Sequence, residues 1–200
     1  MSVKVKAVAI LFLYFFCCIP LAHAHPHLFI KLAANIDFDE NGNMIGLTET
    51  WMYDEAYSAF VLQGAEKDAL GGFSQEQLQP LADNYANGLA EFSYFTKAVI
   101  DDQIFAFEKP QSVRMTYKDR QLEYNFSLRF REPVRPVSGM KITIYDESNY
   151  VSFLSNDHSV ISINGYPTVE CFVGSSPDSI NAKSSIFSAA IYVKCDKGPH

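Results

Sequence analysis

The chain is poor in the residues that most often carry out catalysis or bind nucleic acids. Its 200 residues include only five histidines and four cysteines, and 16 lysines and arginines stand against 23 aspartates and glutamates. The net charge of −7 argues against a nucleic-acid partner and is compatible with the attraction of cations. Because histidines and cysteines are so few, no Ser/His/Asp or Cys/His nucleophile arrangement stands out, and we expect no enzymatic activity.

Internal repeats, low-complexity tracts and interdomain linkers are also absent, and the one long apolar run lies near the N-terminus. Lys4 and Lys6 precede this run, and Ala22-x-Ala24 supplies the small residues that a signal peptidase accepts. The sequence therefore predicts a signal peptide over residues 1–24, cleaved after Ala24. The run is too short for a comfortable membrane span, so we expect residues 25–200 to form a single periplasmic domain without membrane insertion.

Only two cysteines remain after such cleavage, because Cys17 and Cys18 leave with the signal peptide. Cys171 and Cys195 would then meet in an oxidising compartment, where a disulfide bond is expected. A thiolate zinc site is the alternative, but the pair lacks the close Cys-x-x-Cys spacing of such sites. In the chain-entropy model, a disulfide that closes a loop of about 25 residues stabilises the fold by roughly 3 kcal/mol.

The pattern of apolar residues predicts an α+β fold with a mainly antiparallel β-sheet. Residues 28–38 and 44–53 alternate apolar and polar side chains around a turn, as in an antiparallel hairpin. Asp54 is a candidate N-cap for a short helix, and Ser74 with Gln77 forms a capping-box pair before a helix over residues 75–94. The two helices lie between N-terminal and C-terminal strands. The later strands are predicted over residues 96–108, 111–117, 121–130, 140–145, 160–164, 169–173 and 186–193.

The predicted cleavage would leave His25 as the first residue, two positions before His27. Residues two apart on an extended strand face the same side, so both imidazoles could reach one ion. The free α-amine adds a third nitrogen. Pro26 has no amide hydrogen, which excludes a square-planar site using that amide. These donors suit a divalent transition metal, whether zinc, copper, nickel or cobalt. The alternative is that the two histidines belong to a solvated tail.

A complete site needs one or two further ligands, and the chain offers few candidates. Asp146 and His158 lie in polar segments between apolar runs, and Asp54 follows a predicted strand. Each could bind the metal or orient an imidazole that does. The alternatives are local turn chemistry for Asp146 and for the segment around His158, and helix capping for Asp54.

Four segments resemble a bacterial family of exported proteins of unknown function, described as the periplasmic component of an uncharacterised ABC-type transport system. They are HPHLFI at 25–30, WMYDEAYS at 51–58, EFSYF at 91–95 and YDESNY at 145–150. The resemblance implies a role in transition-metal handling beside nickel/cobalt-type transporters, and hence a membrane metal transporter as partner.

Together these observations favour a periplasmic accessory protein that buffers or delivers a divalent metal to a membrane transporter. One alternative is a metal-free binding or assembly module for such a transporter. Another is a copper enzyme with an N-terminal histidine, although the second histidine of such enzymes usually lies far along the chain.

Overall fold

Two β-sheets and two helices make up the part of the chain that the computed structural model describes, namely residues 28–69, 71–148, 150–154, 161–165, 170–178 and 188–196. The helices are α1 (Glu55–Val61) and α2 (Gln75–Leu89), and a 3₁₀ segment (Ala90–Phe95) follows α2. The strands, in chain order, are β1 (Leu28–Phe38), β2 (Met44–Tyr53), β3 (Thr96–Ile100), β4 (Gln103–Phe105), β5 (Val113–Lys118), β6 (Gln121–Val134), β7 (Met140–Ile144), β8 (Val151–Leu154), β9 (Ile161–Asn164), β10 (Cys171–Asp178) and β11 (Ser188–Cys195).

The first sheet has the order β5-β6-β2-β1-β8, and β9 also pairs with β1. The second has the order β10-β11-β7-β3-β4. Neighbouring strands are antiparallel except where β1 pairs with β8 and β9, which run parallel to it. This architecture confirms the predicted α+β class. No helix among the described residues combines the length and apolar character needed to cross a membrane.

The core is formed by buried side chains that alternate with exposed or half-buried ones along the central strands. In β1 and β6, every second side chain is buried over most of the strand, as expected where one face of a sheet is covered. Trp51 on β2 lies at the centre of the core, with edge-on aromatic contacts to Phe126 at 4.9 Å and Phe153 at 5.1 Å between ring centroids. Such pairs stabilise a core by more than the burial of their apolar surface alone would.

Both helices begin where their capping residues predict. The Asp54 carboxylate accepts a hydrogen bond from the Tyr57 amide at 2.8 Å, and Ser74 and Gln77 form a reciprocal capping box. The end of α2 is a correction, because the predicted helix over 75–94 stops at Leu89 and passes into the 3₁₀ segment. Left-handed backbone at Ser93, Tyr94 and Phe95 prevents the α-helix from continuing through that segment.

The strands also differ from the prediction over residues 96–108 and at β8. Residues 96–108 form two short strands rather than one, because Asp101 and Asp102 take positive φ values of 46° and 62° in a tight turn. Such values suit the two-residue hairpin turns that match strand twist, and aspartate tolerates them better than most residues do. Strand β8 was not predicted from the sequence, since four residues carry too little periodicity to distinguish a strand from a loop.

Candidate functional site

The N-terminal end of β1 lies between the ends of two neighbouring strands. On one side, the Leu28 amide donates a hydrogen bond to the Tyr150 carbonyl oxygen at 3.1 Å, and β8 begins at the next residue. On the other side, Ile30 pairs with Tyr53, the last residue of β2, and Asp54 follows it. The structure therefore brings the segments that contain Asp54 and Asp146 to the two flanks of Leu28.

Asp146 lies in the turn that leads into β8 and is almost fully buried. One carboxylate oxygen accepts from the amide and hydroxyl of Ser148, at 2.9 and 2.7 Å, and the other accepts from the amides of Tyr150 and Val151, at 3.0 and 2.9 Å. A carboxylate offers about four lone-pair positions, so this set occupies most of its capacity. Asp146 thus holds the turn beside Leu28 in place, while metal binding by its own oxygens stays a prediction.

Asp54 acts as the N-cap of α1, as the sequence indicates, and its role as a metal ligand likewise stays a prediction. His25, His27 and His158 lie outside the described residues, as does the predicted cleavage site. Within the described ranges, no group of three or more His, Cys, Asp or Glu side chains is arranged to hold a metal ion.

The disulfide prediction is confirmed. Cys171 and Cys195 are bonded and stand opposite each other in the pairing of β10 with β11. The bond joins β10 to β11 at the end of this strand pair, where Cys195 is buried. The bond leaves no free thiol at these two positions for metal binding.

A cleft of about 680 Å³ opens next to the Asp146 turn. We call it the aromatic cleft; its lining comprises the 3₁₀ segment and the start of β3, the end of β4 with the two residues after it, and the turn at 145–148. Phenylalanines contribute much of the wall, and Phe92 and Phe95 stack with their ring centroids 5.4 Å apart. Phe92 is 57 % exposed at the opening.

One wall of the aromatic cleft is an unusual left-handed turn. Ser93, Tyr94 and Phe95 have φ values of 50°, 55° and 55°. Each non-glycine residue in this region costs roughly 1–2 kcal/mol, so three in succession persist only where the surroundings hold them. The Phe95 carbonyl oxygen accepts from the Tyr145 amide at 2.9 Å, which ties the turn to the 145–148 segment. Two segments of the cleft wall are thereby joined.

Behind this turn lies Glu49, a carboxylic side chain with no exposure to solvent. Its Oε2 accepts from the Trp51 indole at 2.7 Å, and its Oε1 lies 2.7 Å from the Thr96 hydroxyl oxygen. That hydroxyl oxygen also lies 2.9 Å from the Tyr94 carbonyl oxygen in the left-handed turn. Burial raises the pKa of Glu49 to about 7, although hydrogen bonds that Trp51 and Thr96 donate to the ionised carboxylate act to lower it.

Sequence reasoning missed Glu49 and the aromatic cleft, although a signal for Glu49 was present. Glu49 occupies the same alternation phase as Leu47, Trp51 and Tyr53, all of which are buried on β2. A charged residue in an apolar phase indicates a buried polar site. The cleft had no such signal, because its walls come from segments up to about 50 residues apart in the chain.

Comparison with protein-family profiles identifies a matching family. Residues 10–190 match the sequence profile of a family described as "Protein of unknown function (DUF1007)". This match spans all four segments on which the sequence resemblance rests. A search of curated proteins finds no match.

Proposed function

Because the chain belongs to this DUF1007 family of proteins of unknown function, we propose a function from its geometry and sequence. The mature protein binds one divalent transition metal at the N-terminal end of β1 and buffers it or delivers it to a membrane transporter. The metal is zinc, copper, nickel or cobalt. His25 and His27 supply imidazole ligands, and Asp54, Asp146 or His158 completes the site.

The observation that supports this proposal is the position of Leu28 between two carboxylate-bearing segments. His27 immediately precedes Leu28 in the sequence. Neighbouring strands are about 4.8 Å apart, so residues that follow β2 and precede β8 start within one strand spacing of β1. The segments that contain Asp54 and Asp146 thus meet at the start of β1, and His27 is the residue that precedes this strand in the sequence.

The donors of the proposed site suit a divalent metal ion of intermediate hardness. Two imidazoles and an α-amine are nitrogen ligands of the kind that zinc, copper, nickel and cobalt accept. A carboxylate can bind directly or orient an imidazole through a hydrogen bond. Delivery to a transporter rests on the family resemblance, and the acidic charge of the chain agrees with a cationic cargo.

The decisive experiment uses protein processed in the periplasm, so that His25 is the first residue. Calorimetric titrations with Zn²⁺, Cu²⁺, Ni²⁺ and Co²⁺ should show one site. We expect the double variant His25→Ala/His27→Ala to weaken binding by more than the roughly 10- to 100-fold that loss of a supporting partner commonly causes. An extra residue before His25 displaces the amine but keeps both rings, so it should weaken binding less.

His200→Ala is the matched control, because it removes an imidazole at the other end of the chain. It should bind as tightly as wild type. If the double variant folds, is correctly processed and binds all four metals as tightly as wild type, the site at the end of β1 does not exist. If wild type binds none of them, the metal-free binding module becomes the better description.

A further inference from the structure

The aromatic cleft has the chemistry of a second binding site, independent of the proposed metal. We propose that it binds a small organic cation. The ammonium group of this ligand lies near the carboxylates at the rim of the cleft, and its apolar body lies against the phenylalanines. This inference goes beyond metal binding and does not require it.

The size and lining of the cleft suit a small molecule. Ligand pockets typically enclose about 300–1,000 Å³ and are lined mainly by apolar and aromatic side chains with a few polar groups. The aromatic cleft, at about 680 Å³, lies in this range. Phe92, Phe95 and Phe107 line it together with Ile104, which is 65 % exposed. Large apolar side chains left exposed around a concavity are typical of binding sites.

The charges along the cleft favour a cation over an anion. The described lining includes three carboxylates, Glu91, Asp146 and Glu147, and one cation, Lys97. Asp146 uses its oxygens within its own turn. The other two are exposed, and Glu147 accepts a hydrogen bond from the Tyr145 hydroxyl at 3.0 Å. Two carboxylates at the rim therefore remain available to an ammonium group, and an anionic ligand would meet a net negative field.

Aromatic faces strengthen this preference. A cation within about 6 Å of a ring centroid is attracted by the negative face of the ring. The stacked pair of Phe92 and Phe95 places such a face in the cleft wall. The left-handed turn fixes Phe95 from behind, where its ring contacts Trp51 at 6.2 Å and Phe153 at 5.8 Å between centroids. The wall is thus formed before a ligand arrives.

Ligand binding in the cleft can be followed by the fluorescence of Trp51, because it is the one tryptophan of the chain and its ring lies next to that of Phe95. We would titrate phenethylammonium, 2-phenylethanol and phenylacetate into the mature protein with a chelator present, following Trp51 fluorescence and backbone amide chemical shifts. The three probes share a phenyl body and differ in charge. We expect the cation to bind tightest and the anion weakest, with shifts at residues 91–97, 104–107 and 145–148.

The variant Glu91→Gln/Glu147→Gln tests the role of the rim. It should weaken phenethylammonium binding roughly threefold to tenfold, as expected for two exposed charges, and leave 2-phenylethanol unchanged. Glu76→Gln is the matched control, because Glu76 lies in the first turn of α2, about 20 Å along the helix from the cleft.

Three results would each overturn the inference: no chemical-shift change in the cleft at millimolar phenethylammonium, anion binding as tight as cation binding, or cation binding unaffected in the double variant. Because the chelator removes transition metals, none of these results bears on the metal site. Failure of the metal titrations would equally leave the cleft untouched.

Discussion

At the scale of single residues, the hydrogen-bond count around Glu49 indicates its protonation state. Thr96 has one hydroxyl proton, yet its oxygen lies within hydrogen-bond distance of two acceptors, Glu49 Oε1 and the Tyr94 carbonyl oxygen. A neutral Glu49 resolves this, since it donates to Thr96, and Thr96 then donates to Tyr94. With a neutral Glu49, every group in this hydrogen-bonded series has a partner. With an ionised Glu49, either the carboxylate oxygen or the Tyr94 carbonyl oxygen has no donor from Thr96.

This arrangement predicts a specific pH dependence of stability. An ordinary glutamate has a pKa of 4.5, and burial raises that of Glu49 to about 7. The folded state thus holds the proton more tightly than the unfolded state. Its stability contribution is fully present below pH 4.5 and is lost as the pH rises to about 7, by an amount on the order of 3 kcal/mol.

Glu49→Gln measures this contribution, because the amide can donate to Thr96 and accept from Trp51 without titrating. In urea unfolding, we expect the variant to match wild type near pH 4.5 and to exceed it in stability above pH 7. Glu40→Gln, in the exposed turn after β1, should show no such change. Parallel pH profiles for wild type and Glu49→Gln would contradict a neutral Glu49.

At the scale of elements, the sequence predicted helix beginnings better than helix and strand ends. The starts of α1 and α2 depend on local side-chain caps, which can be identified within four residues. The end of α2 and the break after β3 depend on positive φ values at non-glycine residues, which tertiary contacts impose. The same distinction explains why the cap at Asp54 was predictable and the aromatic cleft was not.

The start of α1 offers a test that separates two roles of Asp54. Asp54→Ala removes the cap to the Tyr57 amide and should lower the free energy of unfolding by about 1 kcal/mol. Asp54→Asn keeps a capping oxygen and should unfold like wild type. If Asp54 also binds the metal, Asp54→Asn should weaken metal affinity in calorimetry while leaving stability unchanged. Equal metal affinity in wild type and Asp54→Asn would mean that Asp54 caps the helix without binding the metal.

At the scale of the whole molecule, strand order decides which segments meet, and no local pattern in the sequence shows that order. The parallel pairing of β1 with β8 joins residues more than 100 positions apart and brings the Asp146 turn beside Leu28. The same turn forms one wall of the aromatic cleft. The proposed metal site and the cleft therefore share a single buried support, the Asp146 carboxylate.

The two titrating systems of the molecule should respond to acid in opposite directions. Between pH 7 and pH 5, protonation of Glu49 favours the folded state, whereas protonation of His25 and His27, as imidazoles with unperturbed pKa values near 6.5, would oppose the metal binding proposed for them. We therefore expect acid to release the metal from a protein that stays folded. Metal content after dialysis at each pH, measured beside near-ultraviolet circular dichroism, should show loss of metal with an unchanged spectrum. Loss of the spectrum in step with the metal would mean that release follows unfolding, and metal retained at pH 5 would argue against histidine ligands.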